Sequence, residues 1–507
     1  MPLTLGTESV WKLLLQYAVP SVIAMTASSL YNITDSIFIG QGVGALGISG
    51  LAISFPLMNL SAAFGTLVGA GAANLISLRL GQKDYASANK ILGNVVSLTT
   101  ILGITYTLGV LFFLEPILMF FGASSDTLPF AKEYMLIITL GNVVTHMYFG
   151  LNALMRSGGF PAKSMYATIA SVLINAVLTP VFIYGFDMGI RGAAIATVLS
   201  QIILLIWQVR FFSDKSNFLH FKRENFKIDR KIVKDTMSIG LAPFLMNAVS
   251  SVIVILINHA LVKHGGDLAV GAYGIMNRIA MLFGMVVMGL NMGMQPIAGY
   301  NYGAGLYLRV NKVLKHTIVL ATVVISIGFL IGEFIPREAA RLFTSDEKLL
   351  DLTVQGMRIA FAAFPIIGFQ MVSSNFFQSI GKPGKAIYMS LSRQVIFLIP
   401  AVLILPNYFG IAGVWMSLPV ADTLAAVNSA FLLAIHFKKN KPRKIIFALP
   451  LEESLAVEAE GLGSSLLLNW EYLSTTKSCL VWHQRRAALR RAFLKRPMRG
   501  RRGHFLV

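Results

Sequence analysis

The chain has 507 residues, 55% of them apolar and only 13% charged, with a mean hydropathy of +0.68. Soluble globular chains carry roughly 25% charge, so this composition excludes a protein surrounded by water on all sides. The formal net charge of +20 often signals a nucleic-acid partner. Here the cations sit in short loops between apolar runs or crowd residues 485–502, so no nucleic-acid partner is expected.

Apolar stretches of about 20 residues, the length that crosses a bilayer as helix, recur along the chain. They are too long and too uniform for the alternating strands of a β-barrel. The first half reads as helices at 13–39, 50–78, 91–114, 131–155, 164–184 and 191–212. The second reads as helices at 237–262, 270–298, 313–335, 355–378, 386–405 and 411–436. The expected fold is therefore all-α and integral to the membrane, with twelve transmembrane helices in two six-helix lobes, 1–212 and 235–440. A basic linker, 213–234, joins them, and a tail, 441–507, follows. The first helix carries Asn32 and Asp35 and lacks a clear cleavage site, so it reads as retained rather than as a signal peptide. Cys479 is the only cysteine, which excludes an internal disulfide.

Cations mark alternate loops. Arg79, Lys83 and Lys90 follow the second helix, Arg156 and Lys163 the fourth, and Lys215 to Lys231 the sixth. Arg309, Lys312 and Lys315, then Lys382 and Lys385, then Lys438 continue the alternation, whereas 40–47 and 406–410 hold no cation. Positive loops stay inside, so both termini are expected in the cytoplasm of a multi-pass inner-membrane protein.

The halves repeat. Gly81, Tyr85, Asn89 and Lys90 recur 222 residues later as Gly303, Tyr307, Asn311 and Lys312. Asn152 and Gly158 recur as Asn375 and Gly381, and Gly189, Ile190 and Gly192 as Gly410, Ile411 and Gly413. Six helices per half make the repeats parallel, an arrangement found in carriers that open a central cavity alternately to either side. A scaffold, a channel or a membrane enzyme is the plainer alternative. No nucleotide-binding motif, zinc spacing or nucleophile motif is present, because 42–47 fits GxGxxG but lies between membrane helices with no strand before it. The chain reads as no enzyme and needs no cofactor, so an ion gradient must power transport.

Asp35 lies deep in the first helix. An intramembrane carboxylate is costly and marks a functional site by default. Asn175 and Thr179 share one helix face at i and i+4, and Thr197, Ser200 and Gln201 stand on the next helix. Together they offer the oxygen ligands that a hard cation such as Na⁺ takes. In the second half Asn258 and His259 fall opposite Asp35, and Asp422 aligns with Gln201. Asn32, His146, Gln201, Asn258, His259, Gln370, Asn375 and Asp422 are the residues expected to line a substrate cavity. A lone buried histidine such as His146 is more often a packing group. Prolines at 20, 56, 180, 243, 296, 365 and 419 interrupt helices and permit kinks.

Several stretches resemble the multidrug and toxic compound extrusion family, bacterial branch. They are Asp-Ser-Ile-Phe-Ile-Gly at 35–40, Asn-Ala-Leu-Met-Arg-Ser-Gly-Gly at 152–159 and Asn-Ala-Val-Leu-Thr-Pro at 175–180. Gln-Pro-Ile-Ala-Gly-Tyr-Asn-Tyr-Gly-Ala at 295–304 and Pro-Val-Ala-Asp at 419–422 fit as well. The resemblance implies a V-shaped pair of lobes, working as a monomer in the lipid bilayer. It also implies export of cationic or amphipathic compounds against H⁺ or Na⁺. It places a cation-coupling cluster at Asp35, Asn175, Thr179 and Thr197, with Na⁺ a candidate ligand there. Relatives often carry Asp where this chain has Thr179, so a single carboxylate stands here. A flippase for a lipid-linked sugar is the alternative transporter. The tail from about Leu451 does not resemble the family. A frameshift, read-through or fusion would explain it; the alternative is an amphipathic helix near 482–494 lying on anionic lipid.

Overall fold

The computed structural model describes residues 2–439, apart from the side chains of Pro2, Leu3, Leu30, Asn32, Ile33, Ala45, Ser251, Asp267 and Lys439. The tail at 441–507, with its expected lipid-bound helix, lies outside the described residues, as does the Asn32 side chain. Among the described residues every regular element is helical.

The first half holds α1 (Val10–Gly42), α2 (Ala45–Gly81), α3 (Tyr85–Phe112), α4 (Leu128–Leu140 with Asn142–Ser157), α5 (Pro161–Pro180) and α6 (Gly189–Ser213). The second holds α7 (Arg230–Gly266), α8 (Leu268–Gly303), α9 (Tyr307–Phe334) and α10 (Glu347–Ala360 with Phe364–Ser379). It ends with α11, which begins at Pro383–Leu391, and α12, residues 411–439. Nine described helices are long and apolar enough to cross a membrane, or eleven when each bent pair counts as one span. The last of them, Pro383–Lys438, divides at Gly410, where φ is 56°, and this gives the twelfth.

Most helices overrun their expected spans by a few residues, because hydropathy marks the apolar middle while the helix continues into its polar ends. Two features differ from uniform spans. α4 bends by 54° at Gly141, and α10 bends by 58° at residues 361–363. Each bent pair still passes as one apolar span when its two segments are taken together, so span length alone does not reveal the bends. Sharp corners between consecutive helices use left-handed glycines, where a Cβ would be strained. Gly266 (φ 69°) and Gly410 (φ 56°) turn the second half, and their counterparts Gly44 and Gly189 turn the first.

The linker is fastened to α3 by side chains. Asn89 Nδ2 donates to the Phe218 carbonyl, and its Oδ1 accepts from the His220 N–H. Asn94 donates to the Asn225 and Lys227 carbonyls and accepts from the Asp229 N–H. A carboxylate caps the start of α3: Asp84 accepts from the Ser87 N–H at 3.0 Å. Hydrogen bonds from the Ser87 side chain and then its backbone hold the Asp84 carboxyl below its usual 3.8. A depressed folded-state value means the cap acts fully above the unfolded pKa and is lost as pH falls through the folded one. We expect Asp84→Ala to cost about 1 kcal/mol near neutral pH. Thermal unfolding of the two proteins should differ at pH 7 and converge toward pH 3.

The lobes meet at the ends that carry Arg79, Arg230 and Arg309, here called the basic face. Membrane helices approach closely where side chains are small. A Cβ on Gly240 of α7 would stand 1.8 Å from the Leu67 carbonyl of α2, and one on Gly81 would stand 2.0 Å from the Tyr300 carbonyl of α8. On α8, Gly289 and Gly293 lie against Val22 and Ala18 of α1. Arg309 draws in the amino terminus by donating to the Leu5 and Glu8 carbonyls. Farther into the membrane, Phe64 packs on Phe244 with centroids 5.0 Å apart, and Ser29 meets Met285.

Candidate functional site

α1, α5 and α6 converge on Asp35, which is 5% exposed. Thr179 Oγ1 lies 3.3 Å from Asp35 Oδ1 and 3.3 Å from Asn175 Oδ1, within donating distance of both. Asn175 Nδ2 donates to Thr197 Oγ1 at 3.2 Å. Thr197 spends its own hydrogen on the Ala193 carbonyl, 3.1 Å away. The Tyr31 hydroxyl, 2.9 Å from Thr197 Oγ1, must therefore be a donor. All four expected cluster residues thus stand in one hydrogen-bonded chain, and Tyr31, one turn before Asp35, closes it. The i−4 spacing from Asp35 was the available signal for Tyr31. Asp35 has no ion-pair partner among the described residues.

α5 ends locally as a π-helical turn, Val181–Gly185, just after Pro180. Proline removes a backbone donor, and such single-turn π segments recur at functional sites. Thr179 immediately precedes this irregularity.

The other expected residues are dispersed. His146 is buried on α4 and bonds the Ser61 hydroxyl and carbonyl on α2, each at 3.0 Å, while Ser61 donates to Asn142. That is a packing network between two helices. Gln201 accepts from Thr145 at 2.5 Å. Asn375 accepts from Gln295 at 3.2 Å, and Gln370 is buried on α10. His259 is exposed and Asn258 half-buried, and neither belongs to the cavity of the second lobe. Asp422 does, and it is paired: Arg393 Nε donates to its Oδ1 at 2.5 Å. The sequence reading did not single out Arg393, which lies inside the expected span 386–405. Asp422, an intramembrane acid in need of a partner, was the signal that should have found it.

The MatE family profile matches residues 20–181 and 239–403, most of each half, taking in the helices that carry Asp35, Asn175 and Thr179. The chain belongs to this family. The multidrug export protein MepA of Staphylococcus haemolyticus is 27% identical over 426 residues, covering 84% of this chain and 94% of that protein. MepA of Staphylococcus aureus strain NCTC 8325 is likewise 27% identical, over 428 residues. Among solved structures, the MATE multidrug transporter DinF-BH in complex with R6G is 36% identical. It has a TM-score of 0.79 over 85% of this chain and 97% of that one. An outward-facing MATE transporter has a TM-score of 0.82 at 23% identity, a likeness of fold over 87% of this chain and 98% of that one. As a member of the MatE family, the chain is a multi-pass membrane protein of the multidrug efflux type.

Proposed function

We propose that the protein is a cation-coupled antiporter that exports cationic or amphipathic compounds across the cytoplasmic membrane, with the basic face on the cytoplasmic side. The contacts joining the lobes there make the described state closed to the cytoplasm. The observation that carries the coupling is a hydrogen-bond deficit at Asp35. With Asp35 ionised, the single Thr179 hydrogen faces two acceptors, Asp35 Oδ1 and Asn175 Oδ1, both at 3.3 Å. One added proton resolves this: Asp35 donates to Thr179, and Thr179 then donates to Asn175. Every other bond of the chain stays in place. Na⁺ at the same oxygens would instead displace the Thr179 donation, so H⁺ is the coupling ion favoured by this arrangement.

Asp35 carries one negative charge, and an intramembrane charge without a countercharge is costly. A proton entering from outside neutralises it and removes its attraction for a cationic substrate, which then leaves. A ligand moves such an equilibrium only through unequal affinity for the two states. The charge of Asp35, attractive when bare and silent when protonated, supplies that inequality.

Reconstituted proteoliposomes test the reading. A pH gradient imposed alone should drive uptake of a fluorescent organic cation such as rhodamine 6G, and a Na⁺ gradient alone should not. Uptake driven by Na⁺ at constant pH would reassign the ion to the oxygen cluster. Uptake driven by neither would remove the antiport reading.

A further inference from the structure

The second lobe encloses a cavity of about 410 Å³ that the coupling cluster does not touch. Its walls are soft and aromatic: Tyr273, Phe361 and Phe364 with Met276, Met281 and Met371. Such lining adapts to varied apolar bodies. The mouth reaches Val254 and Met281, which are exposed. At the polar end stand Arg393 and Asp422, joined through Arg393 Nε. Among the described residues Nη1 and Nη2 of Arg393 form no hydrogen bond, and the Arg393 side chain keeps 29% of its surface exposed. Beside it Gln394, over nine-tenths buried, donates to Ser250 at 3.0 Å, while its Oε1 is a buried acceptor without a partner. Arg393 and Gln394 lie on a π-helical stretch, Ser392–Leu398, the irregularity that commonly marks a working site.

The two halves differ in charge here. The repeat places Ser171 and Gln201 opposite Arg393 and Asp422, so the ion pair belongs to the second half alone. The first lobe holds one uncompensated carboxylate, whereas the second holds a compensated pair. A net cation entering the second cavity would sit beside Arg393 in a poorly screened space, and a net anion would sit beside Asp422. A ligand with both charges avoids each penalty.

The geometry points to a second ligand site in this cavity, for zwitterionic aromatic amphiphiles, whose anionic group takes the free edge of Arg393 while their ammonium lies toward Asp422. This rests on the export reading only in making such compounds substrates; binding itself does not depend on Asp35.

Trp415, buried and stacked on Tyr273 with centroids 6.5 Å apart, is a built-in reporter. The full chain with Trp11, Trp207, Trp470 and Trp482 changed to Phe keeps it as the sole tryptophan. Three dansyl probes of matched length span the charge series: dansylcadaverine (cation), ε-dansyl-lysine (zwitterion) and 6-(dansylamino)hexanoate (anion). Energy transfer from Trp415 should report ε-dansyl-lysine binding about tenfold more tightly than either relative. Arg393→Gln and Asp422→Asn should each abolish the preference, and the exchanged pair Arg393→Asp/Asp422→Arg should retain it. Equal binding of all three, tightest binding of dansylcadaverine, or no transfer from any would overturn the proposal. The transport assay separates the two readings. If a pH gradient exports dansylcadaverine but ε-dansyl-lysine never binds, the cavity reading alone fails. If ε-dansyl-lysine binds preferentially but no gradient moves either probe, the coupling reading alone fails.

Discussion

Asp35→Asn should reduce gradient-driven efflux to the level of vesicles without the protein, while membrane expression stays at the wild-type level. The reason is specific to the bonding around residue 35. Asparagine supplies a permanent N–H where the protonated carboxyl supplies a transient O–H. It can donate to Thr179 Oγ1 and free the Thr179 hydrogen for Asn175 Oδ1, 3.3 Å away. The variant therefore imitates the proton-loaded cluster and loses the charge that distinguishes the two states. Swinging a two-state carrier from 1:99 to 99:1 takes about 5.5 kcal/mol of differential binding, and the variant has none to offer at this site. Thr179→Val should act in the same direction but less severely, since it leaves the carboxylate and removes only the hydroxyl that links it to Asn175. Drug-resistance assays with immunoblotting of membranes check both. Resistance retained by Asp35→Asn at matched expression would place the coupling elsewhere.

The reading from sequence succeeded where a single physical cost dominates. Burying polar backbone in lipid forces helices, so the twelve spans stood out from apolar length alone. The cost of an uncompensated carboxylate singles out Asp35, and i, i+4 spacing alone puts Asn175 and Thr179 on one helix face. What escaped depends on which helices become neighbours. Tyr31 joins the cluster through Thr197, 166 residues away. Arg393 is interpretable only once α11 and α12 lie side by side. The bends in α4 and α10 fall inside stretches that still pass as single spans. His146, named among the cavity residues although a lone histidine is more often a packing group, bonds the Ser61 hydroxyl and carbonyl on α2. The repeat also carried more than was read from it. The glycines closing the basic face, Gly71, Gly81, Gly293 and Gly303, are related by the same 222-residue offset that revealed the duplication.

That seam leads to the second large effect. Gly240→Ala should shift the protein away from the state closed at the basic face and slow export. The methyl group would stand 1.8 Å from the Leu67 carbonyl oxygen and 2.7 Å from its carbon. Both are backbone atoms of a helix and cannot swing aside as a flexible side chain can. Overpacking of this kind costs about 1–3 kcal/mol, and here it acts only when α2 and α7 are in contact. A penalty confined to one of two states shifts their ratio by about 5–150-fold. Gly81→Ala, against the Tyr300 carbonyl, should act in the same direction from the other side of the seam. Gly109→Ala and Gly274→Ala meet nothing within 4 Å and serve as controls for helix propensity alone. With Cys479 changed to Ser, spin labels at the exposed positions Gln82 and Leu308 report the separation across the basic face by double electron–electron resonance. The variant distribution should move to longer distances than that of the wild type. An unchanged distribution together with wild-type export would mean that the two lobes do not separate at this seam during the cycle, and alternation would then have to occur within a lobe rather than between them.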